Sequence, residues 1–527
     1  MTDKRLSRLF AAKDVLYYSE EAREYLPYSH SPKDYGNLTT EMDTRTIFQH
    51  DCDCVLYSRT FRRLMHKTQV TYPGIEQNEH TRTRLTHTLE VSEIARAISR
   101  TLGLNEDLTE AIALGHDVGH TPFGHEGEDF LNSVLQGKEN EGSTVTPILN
   151  KFKIPSPDFD FKHNYQSVRM LASWEGEHFD RVKNQYERGM NVSYLTLEGI
   201  LKHSRIRYNY GDKKGKLYSY PDIINNIGKQ LHIDTTDHSD NNHDFAVLSL
   251  EGQIVALADE IAQVCHDLDD AVGADYSVRP ILDDALTKFL NDKINAVIYD
   301  ALKDKKFIIS NNKRHTNTNE ICHLEHPTIT IDKNHFHEFI SWSIGYLILI
   351  SCQKIRNEME EYAKGKKSSE IFPLTKALAS EERTLKNDVL FKFLKYLQTT
   401  YIINNVRINR ENGKADFLLN SIIEAYLNKP KQLPDSVLIR YTSVCRAESL
   451  LKKLSDLRER DGDTGKNIRY VFDKKNPETE LELTQLIRED PDFLRILWDY
   501  LASMTDQYAQ NEYKMLYLSD PAYRTSI

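Results

Sequence analysis

One run of sequence, from about Ala246 to Val272, limits what this chain can fold into more than any other. Leu250, Ile254, Leu257, Ile261, Cys265 and Leu268 recur there at helical spacing, flanked by Val255 and Ala262. A helix so apolar all round has to be buried among other elements. Asp259, Gln263 and Asp267 are set into it four residues apart, hence on one face, above the small residues Gly252 and Ala256. A carboxylate in such a helix is costly unless it is paired or bound to a cation. Asp259 therefore needs a partner, and a metal ion is the simplest one.

Candidate partners lie upstream. The pattern predicts a helix from about Thr86 to Leu102 with Val91, Ile94, Ile98 and Leu102 on one stripe, and His87, four residues before Val91, points inward with it. A further helix starts at Asn105, a good N-cap, with Glu106 and Asp107 in the first turn where they complement the dipole. Leu108 and Ile112 define its buried face, and His116 continues that line. Gly119 and Pro122 are expected to end it, leaving Asp117 at a helix C-terminus beside His116. The stretch from His116 to Glu128 holds three imidazoles and three carboxylates among Gly and Pro, where an ordinary core segment would carry apolar periodicity.

Taken together, His87, His116, Asp117 and Asp259 offer two imidazoles and two carboxylates on three buried helices. Such a set can ligate a divalent ion and leave coordination positions for water and a substrate oxygen. That suits hydrolysis of phosphate esters or anhydrides, in which the ion polarises a phosphoryl oxygen and acidifies water.

The remaining sequence bounds the setting. The chain has 527 residues with 39% hydrophobic content, enough for a large core and for more than one domain. Six cysteines, at 52, 54, 265, 322, 352 and 445, form no CxxC pair, which argues against a disulfide framework or a thiolate zinc site and for a reducing, cytoplasmic setting. No run reads as a signal peptide or membrane span. A net charge of -11 argues against a wholesale nucleic-acid coat. Arg59, Arg62, Arg63, His66 and Lys67 form the clearest local basic patch, on a helix within about 44 to 67. Residues 1 to 44 read as an arm, 136 to 160 as a loop and 208 to 221 as a surface hairpin or flap. The His- and Asp-bearing tract 232 to 243 is a weak metal candidate. Helices are expected over about 163 to 174 and 192 to 203. From 281 to 527 the pattern is helical with polar interruptions, so the fold class is all-α: a helical core over 45 to 280, completed by the C-terminal helices.

The runs Arg84-Leu85-Thr86-His87-Thr88-Leu89-Glu90-Val91, His116 to Glu128, Ala258-Asp259-Glu260-Ile261-Ala262 with His266-Asp267-Leu268, and the terminal Met504-Thr505-Asp506 occur in the order seen in a known family. The chain resembles the HD-domain deoxynucleoside triphosphate triphosphohydrolases, densely over about 45 to 275 and again over 497 to 518. The resemblance implies an HD-type core and cleavage of a dNTP between the α-phosphorus and the 5′ oxygen, releasing deoxynucleoside and tripolyphosphate. It implies His87, His116, Asp117 and Asp259 as ligands of one divalent ion, Mn2+, Mg2+ or another first-row ion. His125 and Glu128 correspond to the catalytic pair, and their spacing on a starting helix agrees, since a carboxylate three residues on can orient an imidazole. Arg84, His120, His163, Asn164 and Lys202 correspond to phosphate-contacting positions, Gln69 to a residue at the sugar and base, and Asp267 to a sugar-side acid. Gln263 stands where the family commonly has Tyr, so an aromatic wall is lost and a preference for guanine does not follow. Asp51-Cys52-Asp53-Cys54 replaces a stretch often rich in Arg.

Relatives are commonly oligomeric, often hexameric, and some take a second nucleotide as activator, so a homo-oligomer and a dNTP effector are expectations of the resemblance. Two other readings stay open. His120, His125 and His163 could complete a second metal site, giving a binuclear phosphodiesterase or phosphomonoesterase. A non-catalytic nucleotide sensor, binding single-stranded DNA through the 59 to 67 patch, is the reading of a different class.

Overall fold

The computed structural model describes residues 46–69, 82–136, 148–154, 161–180, 185–204, 247, 249–274, 308–311, 328–331, 336–364, 377–444 and 484–518 except 486, together with a few isolated positions between 285 and 304. Side chains at 178–187, 273–274, 308–311, 328–331, 407 and 442–444 are not described. The expected N-terminal arm, the flap at 208 to 221 and the tract 232 to 243 lie outside these residues.

The chain is helical. In order, the elements are α1 Ile47–Tyr57, α2 Arg59–Arg63, α3 Arg84–Leu102, α4 Glu106–Gly115, α5 Gly124–Gln136, α6 Ile148–Lys151, α7 His163–Arg169, α8 Tyr194–Leu201, α9 Leu250–Ala274, α10 Phe336–Ala363, α11 Glu381–Thr384, α12 Val389–Leu397, α13 Val406–Asn428, α14 Asp435–Val444, α15 Pro491–Ser503 and α16 Asp506–Tyr517. Among the described residues two short antiparallel strand pairs add to them: β1 Glu177–Asp180 with β2 Gln185–Arg188, and β3 Ile308–Asn311 with β4 Thr328–Ile331. The stretch read as a loop over 136 to 160 contains the short α6, whose Ile148 and Leu149 are buried.

Helix α3 starts two residues earlier than its apolar stripe indicates, because Thr83 and Thr86 form a reciprocal capping box. Its inward stripe is the expected one, with Val91, Ile94, Ile98 and Leu102 all buried. Gly103 ends it in the left-handed region at φ 76°, where glycine carries no Cβ penalty. Helix α4 is capped by Asn105, whose Oδ1 accepts from the Leu108 amide at 3.1 Å. That cap is worth about 1 kcal/mol, whereas burying Leu108, Ile112 and Leu114 contributes roughly 2 kcal/mol each. Packing therefore decides where α4 sits.

Helix α9 runs through the middle, packed against α3, α4, α10 and α12. Its apolar residues Ile254, Leu257, Ile261, Cys265 and Leu268 are all buried, in one core shared with α1, α3, α4 and α10. A second core joins α5 and α6 to α13, α14, α15 and α16, with Leu131, Ile423, Tyr426 and Trp498 near its centre. The cysteines at 52, 54, 265 and 352 are free thiols. Among the described residues, no helix is long and apolar enough to cross a membrane.

Candidate active site

Helices α3, α4 and α9 bring His87, His116 and Asp259 together, with ligand atoms within 4.8 Å of one another. His87 Nε2 donates to Asp259 Oδ1 at 3.0 Å. Helix α4 ends at Gly115, earlier than Gly119 and Pro122 indicate, and His116 is its C-cap. There the His116 Nδ1–H donates to the Ala113 carbonyl at 2.6 Å. This fixes the tautomer and leaves a lone pair on Nε2, an atom that is buried, has no hydrogen-bond partner and lies 3.6 Å from Asp117 Oδ1 and 3.8 Å from Asp259 Oδ1. Two imidazoles and two carboxylates with one orphaned donor atom fit a divalent cation.

The charges are mutually dependent. Burial raises the Asp259 pKa, but the His87 hydrogen bond and the neighbouring imidazoles outweigh it and hold it below the usual carboxylate range. Burial likewise opposes ionisation of Asp117, and His116 and Arg84 reverse it. Burial lowers His87, but the Asp259 hydrogen bond and the Asp259 and Asp117 charges together outweigh it and raise its pKa.

Beside this cluster Arg84 is 1% exposed and donates through Nη1 to Asp117 Oδ2 at 2.7 Å. Its Nε and Nη2 are buried without partners. Two unsatisfied guanidinium donors are unfavourable unless an anion arrives, and their planar fork suits a phosphate. Gln69 Oε1 and His120 Nδ1 are also buried and unpartnered.

A second cluster gathers His120, His125, Glu128 and His163, again with ligand atoms within 4.8 Å. The expectation that Glu128 orients His125 is corrected here. Glu128 accepts from His163 Nδ1 and from Lys162 Nζ at 3.0 Å, because α7 places His163 against the carboxylate, while His125, on the first turn of α5, is exposed. His163 stacks on His120 with ring centroids 4.3 Å apart, and His125 meets His120 edge-on at 4.9 Å. Gly119 makes this close approach feasible, since a Cβ there would come within 2.1 Å of the Ser167 amide nitrogen on α7.

Glu128 is held well below the carboxylate range: burial opposes this, and the His163 charge and hydrogen bond outweigh it. His163 is raised by the same contact. His125 is exposed, and desolvation by the walls around it, with the Arg84 charge, pushes its pKa down to about 4. His120 is held well below the ordinary imidazole value by burial and by Arg84 and His163.

Other expected site residues are engaged with protein. Asn164 Nδ2 donates to the Leu201 carbonyl at 3.0 Å and to Ser204 Oγ at 2.9 Å. Lys202 pairs with Glu198 at 2.9 Å. Asp267 is buried and accepts from Gln398 Nε2 at 2.6 Å, with its pKa pushed up to about 6 chiefly by burial. Gln263 is half-buried on α9. The 59 to 67 cluster is not one continuous patch: Lys67 is buried, and Arg63 bonds Glu175 at 3.1 Å, which leaves Arg59, Arg62 and His66 exposed.

Two histidines outside the expected set belong to the site. His203 is buried, donates from Nδ1 to the Ile200 carbonyl at 2.7 Å and faces His163 Nε2 at 3.3 Å. Its pKa is pushed down to about 3 by burial and by His116. His266 Nδ1 lies 3.3 Å from His87 Nδ1. The signal for both was adjacency to motif residues, in Leu201-Lys202-His203 and His266-Asp267.

Residues 84–263 match the HD domain. Proteins named deoxyguanosinetriphosphate triphosphohydrolase-like are 39% identical over 279 residues in Brucella ovis, covering 51% of this chain and 59% of that protein. In Caldanaerobacter subterraneus the identity is 38% over 251 residues, covering 48% and 53%. In Nitrobacter hamburgensis it is 38% over 275 residues, covering 50% and 55%. The chain thus spans between 53% and 59% of the length of these relatives. Residues 84–263 are thus similar to the HD domain, and the chain is similar over about half its length to proteins named deoxyguanosinetriphosphate triphosphohydrolase-like.

Proposed function

We propose that this protein hydrolyses deoxynucleoside triphosphates, including dGTP, to deoxynucleoside and tripolyphosphate. The observation that carries the reading is the buried Arg84, with two unpaired donors, beside the converging His87, His116 and Asp259. A triphosphate supplies the anion that Arg84 lacks. His87, His116, Asp117 and Asp259 would hold a divalent ion. Such an ion supplies a Lewis acid for a phosphoryl oxygen and lowers the pKa of water bound to it.

The chain's own groups do the rest. Arg84 binds phosphate oxygens through Nε and Nη2, and His120 and the His163–Glu128 pair line the same side. His163, kept protonated by Glu128, adds positive charge where the triphosphate gathers negative charge. Water attacks the α-phosphorus and gives up a proton to solvent, the bond from phosphorus to the 5′ oxygen breaks, and the leaving oxygen takes a proton. His125 is the exposed imidazole positioned to deliver it. Desolvation and then the Arg84 charge hold His125 deprotonated in the absence of substrate; phosphate on Arg84 cancels the second of these and favours proton uptake by His125.

A second reading has one observation in its favour: His120, His125, Glu128 and His163 could themselves hold an ion. The ion pair between Glu128 and His163 occupies two of those groups and favours the first reading. The test is to incubate the protein with each dNTP and Mn2+ or Mg2+, singly and in pairs, and to resolve products by chromatography while counting bound ions. Tripolyphosphate with one ion per chain is the expected result; stepwise orthophosphate with two ions per chain would replace it with the binuclear reading. Stimulation in mixed-nucleotide samples would support a nucleotide effector.

A further inference from the structure

The C-terminal helix pair ends up against the site through one carboxylate. Asp506, the first residue of α16, accepts from the Phe123 amide at 2.9 Å through Oδ1, and from the Thr68 amide at 3.0 Å and the Thr68 hydroxyl through Oδ2. Directly beside it, the buried Lys67 Nζ donates to the His120 carbonyl and, at 3.0 Å, to the Ala502 carbonyl near the end of α15. Three segments far apart in sequence, 67 to 68, 120 to 123 and 502 to 506, thus share one hydrogen-bonded junction built around the buried Lys67 and Asp506.

We infer that Asp506 is a positioning residue for the reaction proposed above, and the inference rests on that reading for its kinetic part. Its bonds go to the backbone and one hydroxyl of the two segments that carry site residues. Thr68 precedes Gln69. Phe123 lies between His120 and His125, in the turn that joins the metal-type cluster to the acid–base cluster.

Within that turn Thr121 Oγ1 donates to the Gly124 carbonyl at 2.8 Å, and the C-terminal helices add a hold from outside. Phe123 has φ 62° and Gly124 φ 64°, both in the left-handed region, which a residue with a side chain such as Phe123 adopts only when its surroundings impose it. The Asp506–Phe123 bond imposes it together with the packing of Phe123 against the second core. The turn is also crowded: a Cβ on Gly124 would come within 2.9 Å of Arg84 Nη2, so a relaxed turn shifts relative to the guanidinium as well as to His125. The metal-type residues His87, His116 and Asp259 come from α3, α4 and α9 and make no contact with Asp506.

This separation gives the test. In the full-length chain, Asp506→Ala should lower kcat for dNTP hydrolysis about 100-fold, the scale expected of an ångström-sized displacement of a reacting group. The Mn2+ dissociation constant, measured by calorimetry, should stay within about twofold, since the ligand helices are untouched. Asp506→Asn keeps acceptor capacity and should be intermediate. Phe123→Gly in the Asp506→Ala background should restore part of the rate, because glycine reaches positive φ without help.

A rate loss matched by lost metal binding and a collapsed melting transition, with no rescue by Phe123→Gly, would make Asp506 merely structural and overturn the inference. So would an Asp506→Ala protein with unchanged kcat. If Asp506→Ala does not fold, Thr68→Val, which removes only the hydroxyl bond, should still lower kcat several-fold at unchanged melting temperature, and an unchanged rate there overturns the inference. If the wild-type chain releases no tripolyphosphate, the proposed function fails by itself. The junction is then read from amide exchange at Phe123 and carbethoxylation of His125, both of which should rise in Asp506→Asn; unchanged values overturn it.

Discussion

Glu128 accepts from two donors, Lys162 and His163, and the second contact decides which imidazole of the site carries charge. His203 presents a lone pair to His163 Nε2, since its own Nδ1–H is committed to the Ile200 carbonyl. His163 therefore donates on both sides, to a carboxylate and to a neutral ring, which is the imidazolium form. Burial alone would neutralise it. Glu128→Gln removes the carboxylate charge that raises His163, so its pKa falls. A raised histidine pKa means a charge present below the folded value and lost as pH rises through it, so activity in the variant should fall off at lower pH than in the parent. At pH 7, kcat should drop about 100-fold with Mn2+ affinity within about twofold; rates across pH 5 to 9 and calorimetry check both, and an unshifted profile would remove His163 from the charged set. The neighbourhood of Glu128 was legible from the sequence because motif residues cluster there. Its partner was not, because a spacing of three places two side chains on one helix face and says nothing of a donor arriving from α7.

Helices α5 and α13 meet with like charges facing. Asp416 on α13 has a buried, unpartnered Oδ1, and its pKa is pushed up to about 7 by burial first, then by Glu126 and Asp129 on α5. A carboxyl raised above its unfolded value of 3.8 makes its full contribution to stability below that value, and the contribution is lost as pH rises through about 7. Asp416→Asn should therefore stabilise the chain at pH 8 by about 2 kcal/mol, by less at pH 6, and not at all near pH 4, read from denaturant midpoints. A gain independent of pH would assign the effect to packing instead. This packing also marks how far elements could be read ahead of the structure. The stripes of α3, α4 and α9 were legible because each helix buries a face whose periodicity is internal to it. Asp499, in contrast, sits in an amphipathic stretch yet is fully buried, because Arg169 on α7 grips it through two nitrogens. The Gln398–Asp267 bond likewise joins residues 131 apart, with no local pattern to announce it.

At the scale of the whole molecule, the HD match stops at residue 263 but the packing does not. Phe130, Leu131, Val134 and Leu135 on α5 face the second core, whose other side is built from α13 to α16. Trp498 on α15 fixes this contact by donating from Nε1 to the Leu131 carbonyl at 3.1 Å. Helix α10 covers α3 and α9 from another side. Cutting the chain after Ala274 would uncover the α5 face, at roughly 2 kcal/mol for each of those four side chains. The sum, about 8 kcal/mol, is comparable to the entire stability of a typical domain, about 5 to 15 kcal/mol. It would also remove Asp506 and the Ala502 carbonyl, leaving Lys67 buried with one acceptor fewer. We therefore propose that the catalytic core and the C-terminal helices fold as one cooperative unit. A fragment comprising residues 1 to 274 should show no cooperative thermal transition by circular dichroism and no saturable Mn2+ binding, while the full chain melts in a single transition whose midpoint rises with added Mn2+. A fragment that melts cooperatively and binds Mn2+ with the affinity of the full chain would show that the core stands alone, and the C-terminal helices would then be an attachment to a finished site.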